Sequence, residues 1–304
     1  MELMEDGASK SVVKPTEKKW PPIKINDFGD YMRDVLEANR KYRYCCIQNQ
    51  FSDLPSGLVK SVKEATKQKN ADKNRCTTIY PYDKNRVKLD TTSAGKYFKG
   101  DYINASYIQG STNYKEYIIA QNPRTNTVND FWIMIWQERI SYCVMITNEH
   151  ETYLRYWPTL TEKSVTFADL DIVLLERLDY RFFQKYKLAV SRKGQTREIC
   201  VLHYHSWQDY DMILSKKKLL PFISFLQSIP HYSAPVLFHC REGTGRCGSV
   251  VLCDMVLRSL PVTGMVDIFH TAMVLMKSRV NAISNLEQYI LVHWIIRDFL
   301  GKFY

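Results

Sequence analysis

The chain has 304 residues and a formal net charge of +10; 45% of its residues are hydrophobic and 13% are aromatic. This apolar and aromatic content supplies a large core and excludes a mostly disordered chain. The positive charge favours an anionic partner, such as nucleic acid, a membrane surface or a phosphorylated protein. The sequence has no run of Lys and Arg interleaved with aromatic residues, so we expect no nucleic-acid binding.

The eight cysteines are scattered along the chain and form neither a disulfide framework nor a zinc-binding pattern. We therefore expect a reducing compartment, no metal and no cofactor. Residues 1–19 are polar and charged, unlike a signal peptide. No stretch approaches the roughly 18 apolar residues that a membrane span needs. These features predict a cytoplasmic protein without integral membrane association.

The hydrophobic periodicity divides the chain into a tail and one domain. Residues 1–25 are rich in Lys, Glu, Ser and Pro and predict a flexible basic tail, and residues 26–304 predict the domain. In chain order, the predicted elements are helix 28–49, strands 86–89, 102–108 and 116–120, helix 127–137, strands 143–147, 165–174, 188–190 and 198–203, helix 219–227, strand 235–238, and helices 248–258, 266–277 and 286–299. Strands mixed with helices predict an α/β (α+β) fold, a single domain with a central mixed β-sheet flanked by helices.

One segment carries a pattern typical of phosphate chemistry. A hydrophobic strand ends at Cys240, five residues follow, and Arg246 then begins a helical pattern. Gly243 and Gly245 permit backbone angles with which successive amides can point inward and hold an anion under the helix N-terminus. The planar fork of Arg246 is suited to gripping two phosphate oxygens. A lone cysteine after a strand is commonly a core residue, but this spacing indicates a phosphate cradle.

The same cradle is expected to activate Cys240 as a nucleophile. Inward amides, a helix N-terminus and Arg246 all favour the thiolate, so we expect a pKa well below about 8.5, the value of a free thiol. A decrease of about three units corresponds to about 4 kcal/mol. We expect His239 to order the backbone around the cysteine rather than to act as a base.

The sequence around Cys240 resembles the signature of the protein tyrosine phosphatases, in which His-Cys is followed by five residues, Arg, and then Ser or Thr. The resemblance extends over about residues 28–300. It includes markers of the tyrosine-specific, non-receptor branch, namely Lys73-Asn74-Arg75, Asp101-Tyr-Ile-Asn-Ala-Ser106, Gln121-Asn-Pro123, Asp130-Phe-Trp132, Tyr156-Trp-Pro158, Trp207-Gln-Asp209 and Glu287-Gln-Tyr289. Among these phosphatases the chain looks most like those of bracoviruses, the polydnaviruses of parasitoid wasps. The resemblance implies a highly twisted sheet, and we expect a monomer.

The resemblance implies a two-step reaction on phosphotyrosine-containing proteins. Cys240 attacks phosphorus and forms a cysteinyl-phosphate. Asp209, in a segment similar to the family's Trp-Pro-Asp loop, donates a proton to the tyrosine oxygen and then activates water. Trp207 is expected to support this loop, and His239 and Cys247 to support the cradle. Besides Arg246, the expected substrate-binding residues are Arg241, Glu242, Gly243, Thr244, Gly245 and Gln288.

Several positions depart from the family pattern. Cys247 replaces the Ser or Thr whose hydroxyl stabilises the departing thiolate, and a thiol is a weaker donor. Glu242 brings a carboxylate near the phosphate dianion. At a separation of about 8 Å their repulsion costs about 2 kcal/mol, and solvent exposure of Glu242 or its pairing with Arg241 would reduce this cost. Glu151 is the candidate partner of Arg246. Further departures in the acid loop and the substrate pocket are Gln208, Asp211, Ser284, Cys76 and Thr78. We therefore expect weak to moderate activity and relaxed peptide recognition.

Two other functions fit the same sequence. The departures named above favour a pseudophosphatase, which binds phosphotyrosine proteins without turnover, whereas the intact Cys240, Asp209 and Arg246 oppose it. Arg241, Lys277 and the net charge favour a phosphoinositide phosphatase, although Lys73-Asn74-Arg75 implies a deep pocket suited to an aryl phosphate. A purely structural protein would give no reason for the glycine-rich cradle. For a bracovirus-like phosphatase, the expected targets are signalling proteins in the cytoplasm of the host cell.

Overall fold

The computed structural model describes residues 19–37, 45–91, 100–209, 211–230 and 234–303. Of the predicted tail, residues 1–18 lie outside these ranges. Residues Ile23–Lys24, also assigned to the tail from the sequence, form a short strand that pairs with Met265–Val266.

Eleven strands are present in the described ranges. In chain order they are β1 (Ile23–Lys24), β2 (Arg86–Lys88), β3 (Tyr102–Ile108), β4 (Tyr117–Gln121), β5 (Tyr142–Asn148), β6 (Ser164–Phe167), β7 (Leu170–Asp179), β8 (Phe183–Arg192), β9 (Gln195–Trp207), β10 (Val236–Cys240) and β11 (Met265–Val266). Nine of them form one twisted mixed sheet in the order β2-β3-β4-β10-β5-β9-β8-β7-β6. The four central strands, β4, β10, β5 and β9, are parallel, whereas the outer pairs are antiparallel.

Helices cover both faces of this sheet. They are α1 (Ile25–Glu37), α2 (Cys45–Ser52), α3 (Val128–Gln137), α4 (Met212–Gln227), α5 (Arg246–Thr263), α6 (Ile268–Ser278) and α7 (Leu286–Phe303), with a short 3-10 helix at Gln68–Lys73. Along β10, Leu237 packs in the core that contains α3, and Phe238 packs in the core that contains α4 to α7. This two-residue alternation places one core on each face. Within the described ranges, no helix has both the length and the apolar character to cross a membrane.

The predicted fold class, a single α/β (α+β) domain with a central mixed sheet, is confirmed. The helix predicted for residues 28–49 is found as α1 and α2, and residues 38–44 lie outside the described ranges. The single strand predicted for residues 165–174 is wrong, because β6 and β7 form a hairpin that turns at Ala168 and Asp169. Ala168 has a φ of 54°, which is rare for a residue with a side chain, so Asp169 was the one turn residue at this bend.

Strand β10 lies near the centre of the sheet and positions the segment that follows it. It pairs in parallel with β4 on one side and with β5 on the other, and residues 237–240 are buried. Ligands of open parallel sheets bind at the carboxyl ends of the strands. Cys240, the last residue of β10, therefore lies at the edge of the sheet where a ligand site is expected.

A buried ion pair joins the segment before Arg75 to α3. Lys73 Nζ lies 2.9 Å from Asp130 Oδ2 and donates to the Tyr102 carbonyl at 3.1 Å. The side chains of Lys73 and Asp130 are only 3% and 6% exposed. Removing one partner of such a pair leaves an uncompensated charge in the interior.

Asp130→Asn should therefore lower the free energy of unfolding by about 3–5 kcal/mol, because the Lys73 ammonium stays buried without its counter-charge. Urea denaturation followed by tryptophan fluorescence measures the loss. Glu198→Gln breaks the exposed pair between Lys187 and Glu198 and is the control, which should leave the unfolding midpoint nearly unchanged. Similar losses in the two variants would contradict a special role of the buried pair.

Candidate active site

The segment between β10 and α5 forms a tight loop. Cys240 ends β10, and Arg246 is the first residue of α5. Gly243 and Gly245 have φ values of 69° and 63°, a region that residues with side chains rarely adopt. A Cβ atom at Gly243 would also lie 2.5 Å from the backbone of Ala120. Both the backbone conformation and the close packing against β4 therefore require glycine at position 243.

The peptide between Thr244 and Gly245 does not point in the expected direction. The Gly245 N–H donates to the Ala282 carbonyl at 2.8 Å, and the Thr244 carbonyl lies 3.1 Å from Cys240 Sγ, from which it can accept the thiol proton. The Thr244 hydroxyl donates to the Asn281 carbonyl, which holds the residue in this orientation. The prediction that successive amides all point inward is therefore wrong for Gly245, because the neighbouring segment takes this amide.

The Cys240 sulfur is buried and has a lowered pKa. Burial raises the pKa, but hydrogen bonds with the Cys247 side chain and with the backbone of Cys247 and Thr244, together with the Arg246 charge, lower it from 9.0 to about 7. The two sulfur atoms are 3.3 Å apart. Burial and the neighbouring Cys240 raise the pKa of Cys247 well above 9.0. When Cys240 is ionised, the Cys247 thiol therefore keeps its proton and donates a hydrogen bond to the thiolate.

Two carboxylates hold Arg246. Its Nη1 pairs with Glu151, the partner expected from the sequence. Its Nε and Nη2 lie 3.2 Å and 2.9 Å from the two carboxylate oxygens of Asp209, and Asp209 also accepts a hydrogen bond from the Asn148 amide at 3.2 Å. The guanidinium plane is thereby fixed. A phosphate gripped by Nε and Nη2 has to displace the Asp209 carboxylate.

The segment that carries Asp209 is held by β9 and α4. Trp207 ends β9 and is 3% exposed. The Gln208 carbonyl accepts a hydrogen bond from Ser215 of α4 at 2.7 Å. The Asp211 carboxylate caps α4 by accepting a backbone amide of its first turn at 2.8 Å. Asp209 is therefore anchored on both sides, and Asp211, a departure from the family pattern, serves as a helix cap.

His239 is neutral and fixed by two hydrogen bonds. Its Nε2 lies 2.8 Å from the Tyr156 hydroxyl, and its Nδ1 lies 2.6 Å from Asn122 Oδ1. Burial lowers the pKa of His239 to about 3. Asn122 also donates its backbone amide to the Cys240 carbonyl at 2.8 Å. The ring thus orders the backbone at Cys240, and its burial between two partners leaves no access for a general base.

Gln288 and Ser284 lie against the catalytic loop. A Cβ atom at Gly245 would be 2.7 Å from Ser284 Oγ and 2.9 Å from Gln288 Nε2. Gln288 Oε1 accepts the Ser284 backbone amide at 3.0 Å. The structure therefore brings Gln288, predicted to bind substrate, to within contact distance of the loop.

Arg241 and Glu242 do not pair with each other. Neither side chain forms a hydrogen bond or an ion pair with any other residue in the described part of the chain. Both instead line a cavity of about 390 Å³ beside the loop. The pairing that would reduce the cost of the Glu242 carboxylate is therefore not formed.

The Lys73-Asn74-Arg75 segment, expected to line the substrate pocket, is held by buried hydrogen bonds and is followed by small side chains at the pocket entrance. Asn74 is buried, and its Oδ1 accepts the Tyr102 hydroxyl at 2.6 Å and the Asn104 amide at 2.9 Å. At the rim, Cys76 Sγ and Thr78 Oγ1 lie 3.0 Å apart. Cys76, which replaces a family tyrosine, therefore supplies a small side chain in place of an aromatic ring that could stack on a substrate.

Arg279 is a residue of this site that the sequence analysis missed. It is fully buried, and its Nε donates to the Gly243 carbonyl, while Nη2 donates to the Glu242 carbonyl at 3.2 Å. Its remaining bonds go to Asn104 Oδ1 at 2.9 Å and Ser106 Oγ at 3.1 Å. Polar side chains on a buried strand need partners, so Asn104 and Ser106 were the available signal.

Cys247→Ala should raise the pKa of Cys240 by about one unit. The substitution removes the thiol that donates to the thiolate, and a hydrogen bond to a charged group contributes about 1.5 kcal/mol or more. The pH dependence of alkylation by iodoacetamide, followed at Cys240 by mass spectrometry, measures the shift. Cys247→Ser keeps a donor and should leave the pKa at about 7 or below. An unchanged pKa in Cys247→Ala would contradict this role.

A family model described as "Protein-tyrosine phosphatase" matches residues 70–298, a range that contains Cys240, Arg246 and Asp209. The chain is 32% identical over 280 residues to receptor-type tyrosine-protein phosphatase C of Rattus norvegicus. It is 30% identical over 290 residues to receptor-type tyrosine-protein phosphatase alpha of Homo sapiens, and 30% identical over 288 residues to tyrosine-protein phosphatase Lar-like of Caenorhabditis elegans. These matches cover 88%, 91% and 91% of this chain, but the chain spans only 21%, 35% and 13% of the relatives. The resemblance is confirmed at the level of the family: the chain belongs to the protein-tyrosine phosphatases.

Proposed function

We propose that the chain hydrolyses phosphotyrosine in proteins through a cysteinyl-phosphate on Cys240. The observation that carries this proposal is the buried Cys240 sulfur at the N-terminus of α5, with its pKa lowered to about 7. A thiolate at such a position is a nucleophile at neutral pH. Arg246 supplies the cation for a phosphate dianion, and Asp209, which contacts it, supplies the proton donor. Membership of the family supports the same reaction.

The ion pair between Asp209 and Arg246 implies an order of events. A phosphate dianion competes with Asp209 for the Nε and Nη2 edge of Arg246. Once displaced, Asp209 no longer contacts Arg246 and lies near the substrate phosphate, where we place it as the general acid. It can then protonate the tyrosine oxygen as the bond between sulfur and phosphorus forms. In the second step, Asp209 takes a proton from the attacking water.

We expect this activity to be weak to moderate. The Thr244 carbonyl faces the sulfur, so this peptide has to turn before the Gly245 amide can bind phosphate. Arg246 has to exchange a carboxylate for the substrate. Cys247 is a weaker donor than a hydroxyl for the thiolate that leaves in the second step. The first two features weaken substrate binding, and the third slows hydrolysis of the phosphoenzyme.

The same orientation of the Thr244 peptide favours a second function, the binding of phosphotyrosine proteins without turnover. A carbonyl next to the sulfur stabilises the thiol, which can donate to it, and not the thiolate. If this contact persists with substrate bound, Cys240 stays protonated and the protein is a pseudophosphatase. The lowered pKa of Cys240 opposes this function, so we place it second.

The narrower expectations on origin and place of action are also proposals. The resemblance to the non-receptor phosphatases of bracoviruses supports a monomer that acts on signalling proteins in the cytoplasm of a host cell. Its catalytic domain would extend over residues 26–304. The relatives reported above are receptor-type and Lar-like phosphatases, so the bracovirus resemblance stays a prediction.

Cys240→Ser should abolish release of phosphate from phosphotyrosine peptides and leave peptide binding intact, because the hydroxyl is not ionised at neutral pH. A colorimetric phosphate assay and fluorescence anisotropy measure the two properties. Cys200→Ser, at a partly buried cysteine of β9, is the control and should keep its activity. Turnover by Cys240→Ser would contradict the proposal, whereas peptide binding without turnover in the wild type would establish the pseudophosphatase.

Asp209→Asn should lower kcat for a phosphotyrosine peptide by about 10²–10⁴-fold, because the leaving oxygen then receives no proton. The loss should be smaller for p-nitrophenyl phosphate, whose leaving group needs less protonation. KM should fall, since Arg246 no longer has a charged competitor for phosphate.

The control for this prediction is Asp211→Asn, which preserves the cap of α4 because Asn caps helices as well as Asp. It should leave the ratio of kcat for the two substrates unchanged. Equal losses for both substrates in Asp209→Asn would reject the acid role.

A further inference from the structure

A cavity of about 390 Å³ lies beside the loop that carries Cys240. Its lining residues, which come from four separate segments, are Arg75, Arg124, Thr125, Leu154, Arg241 and Glu242. We call this cavity the arginine pocket. Arg241 directly follows Cys240 in the chain, so the pocket and the catalytic loop share a stretch of backbone.

Backbone carbonyls orient two of the three guanidinium groups. Arg75 donates from Nε to the Asn122 carbonyl at 3.0 Å and from Nη2 to the Pro123 carbonyl at 2.7 Å. Arg124 donates from Nη1 to the Asn74 carbonyl at 2.6 Å. These acceptors are neutral, and no carboxylate among the described residues forms an ion pair with any of the three arginines. Two of the three positive charges are therefore held in place by neutral acceptors, and none of the three is in a direct ion pair.

The three charges lie close enough to repel one another. Burial, and then the charges of Arg124 and Arg241, lower the pKa of Arg75, and the Glu151 carboxylate, which pairs with Arg246, opposes this decrease. Glu242 adds one carboxylate to the lining, which leaves two positive charges in excess. A phosphate monoester carries a charge of about −1.5 to −2 at pH 7. Its charge matches this excess, whereas a carboxylate would compensate only half of it.

We propose that the arginine pocket binds a second phosphate group of the substrate, carried by a residue near the phosphotyrosine in the same peptide. The proposal rests on the proposed function, because it concerns the substrate of Cys240. The planar forks of Arg75, Arg124 and Arg241 supply charge-assisted hydrogen bonds to phosphate oxygens. An extended peptide advances about 3.3 Å per residue, and Arg241 adjoins Cys240, so a close sequence neighbour of the phosphotyrosine reaches the pocket.

A phosphorylated peptide fits the pocket better than an inositol phosphate does. Leu154 adds an apolar side chain to the lining and Thr125 an uncharged one. Both can pack against the carbon atoms of a phosphorylated side chain. The hydroxyl-rich ring of an inositol phosphate would lose hydrogen bonds to water against Leu154. The substrate class is therefore a doubly phosphorylated peptide.

The test measures binding to the full chain carrying Cys240→Ser, so that no substrate is consumed. The probes are fluorescent peptides of one sequence, with phosphotyrosine alone or with phosphoserine at each neighbouring position in turn, at fixed ionic strength. We expect at least one doubly phosphorylated peptide to bind about tenfold tighter than the singly phosphorylated one. Arg124→Gln in this background should remove most of the difference, and Glu242→Gln should enlarge it. Arg181→Gln, at an exposed arginine between β7 and β8, is the matched control and should preserve the difference.

Equal affinities of the singly and doubly phosphorylated peptides at every position would overturn the proposal. An equal loss in Arg181→Gln and Arg124→Gln would also overturn it, because the effect would then reflect net charge alone. Tighter binding of a soluble inositol bisphosphate than of any peptide, with the same dependence on Arg124, would assign the pocket to an inositol headgroup instead. Since binding is measured without turnover, an inactive wild type would refute the proposed hydrolysis and leave this inference to be decided by the affinities.

Discussion

The charge on the Cys240 sulfur depends on opposing effects that act over a few ångströms. Burial in the core between β10 and α5 disfavours a thiolate, and the hydrogen bonds from the loop backbone, the Cys247 thiol and the Arg246 charge favour it. The favourable contributions win, so the sulfur ionises near neutral pH. Buried side chains hold the loop in the conformation that these contacts need. His239 fixes the backbone at Cys240, and Arg279 donates hydrogen bonds to the Gly243 and Glu242 carbonyls.

The groups that we propose to act on the substrate are bound to one another in this structure. Asp209 lies on the edge of Arg246 that a phosphate needs, and the Thr244 carbonyl lies on the sulfur. A substrate dianion therefore has to exchange contacts at both places, and the free energy of this exchange sets how tightly it binds. In the proposed reaction this exchange also links binding to chemistry, since it would release Asp209 beside the leaving oxygen. Glu151 pairs with Nη1 of Arg246, so this contact does not occupy the Nε and Nη2 edge.

The parts of the site that could be predicted from the sequence are those set by local spacing. Cys240 and Arg246 are separated by five residues, and the two glycines between them have the positive φ angles that the spacing implied. Asn104 and Ser106 signalled that a buried polar partner exists, but they did not identify it as Arg279, which lies 175 residues from Asn104 in the sequence. The orientation of the Thr244 peptide depends on the Ala282 carbonyl of another segment. The β6–β7 hairpin was missed for a different reason, because the positive φ of its turn falls on Ala168, and Asp169 alone is a weak turn signal.

The central claim is that the Cys240 thiolate forms a covalent bond to the phosphorus of a phosphotyrosine substrate. The most direct measurement mixes the purified protein with excess phosphotyrosine peptide, quenches the reaction in acid within the first turnover, and locates covalent phosphate by mass spectrometry. The account predicts phosphate on the peptide that contains Cys240, and a larger amount in the wild type than in Cys247→Ser, whose phosphoenzyme should hydrolyse faster. Turnover of the substrate without phosphate on Cys240 would contradict it.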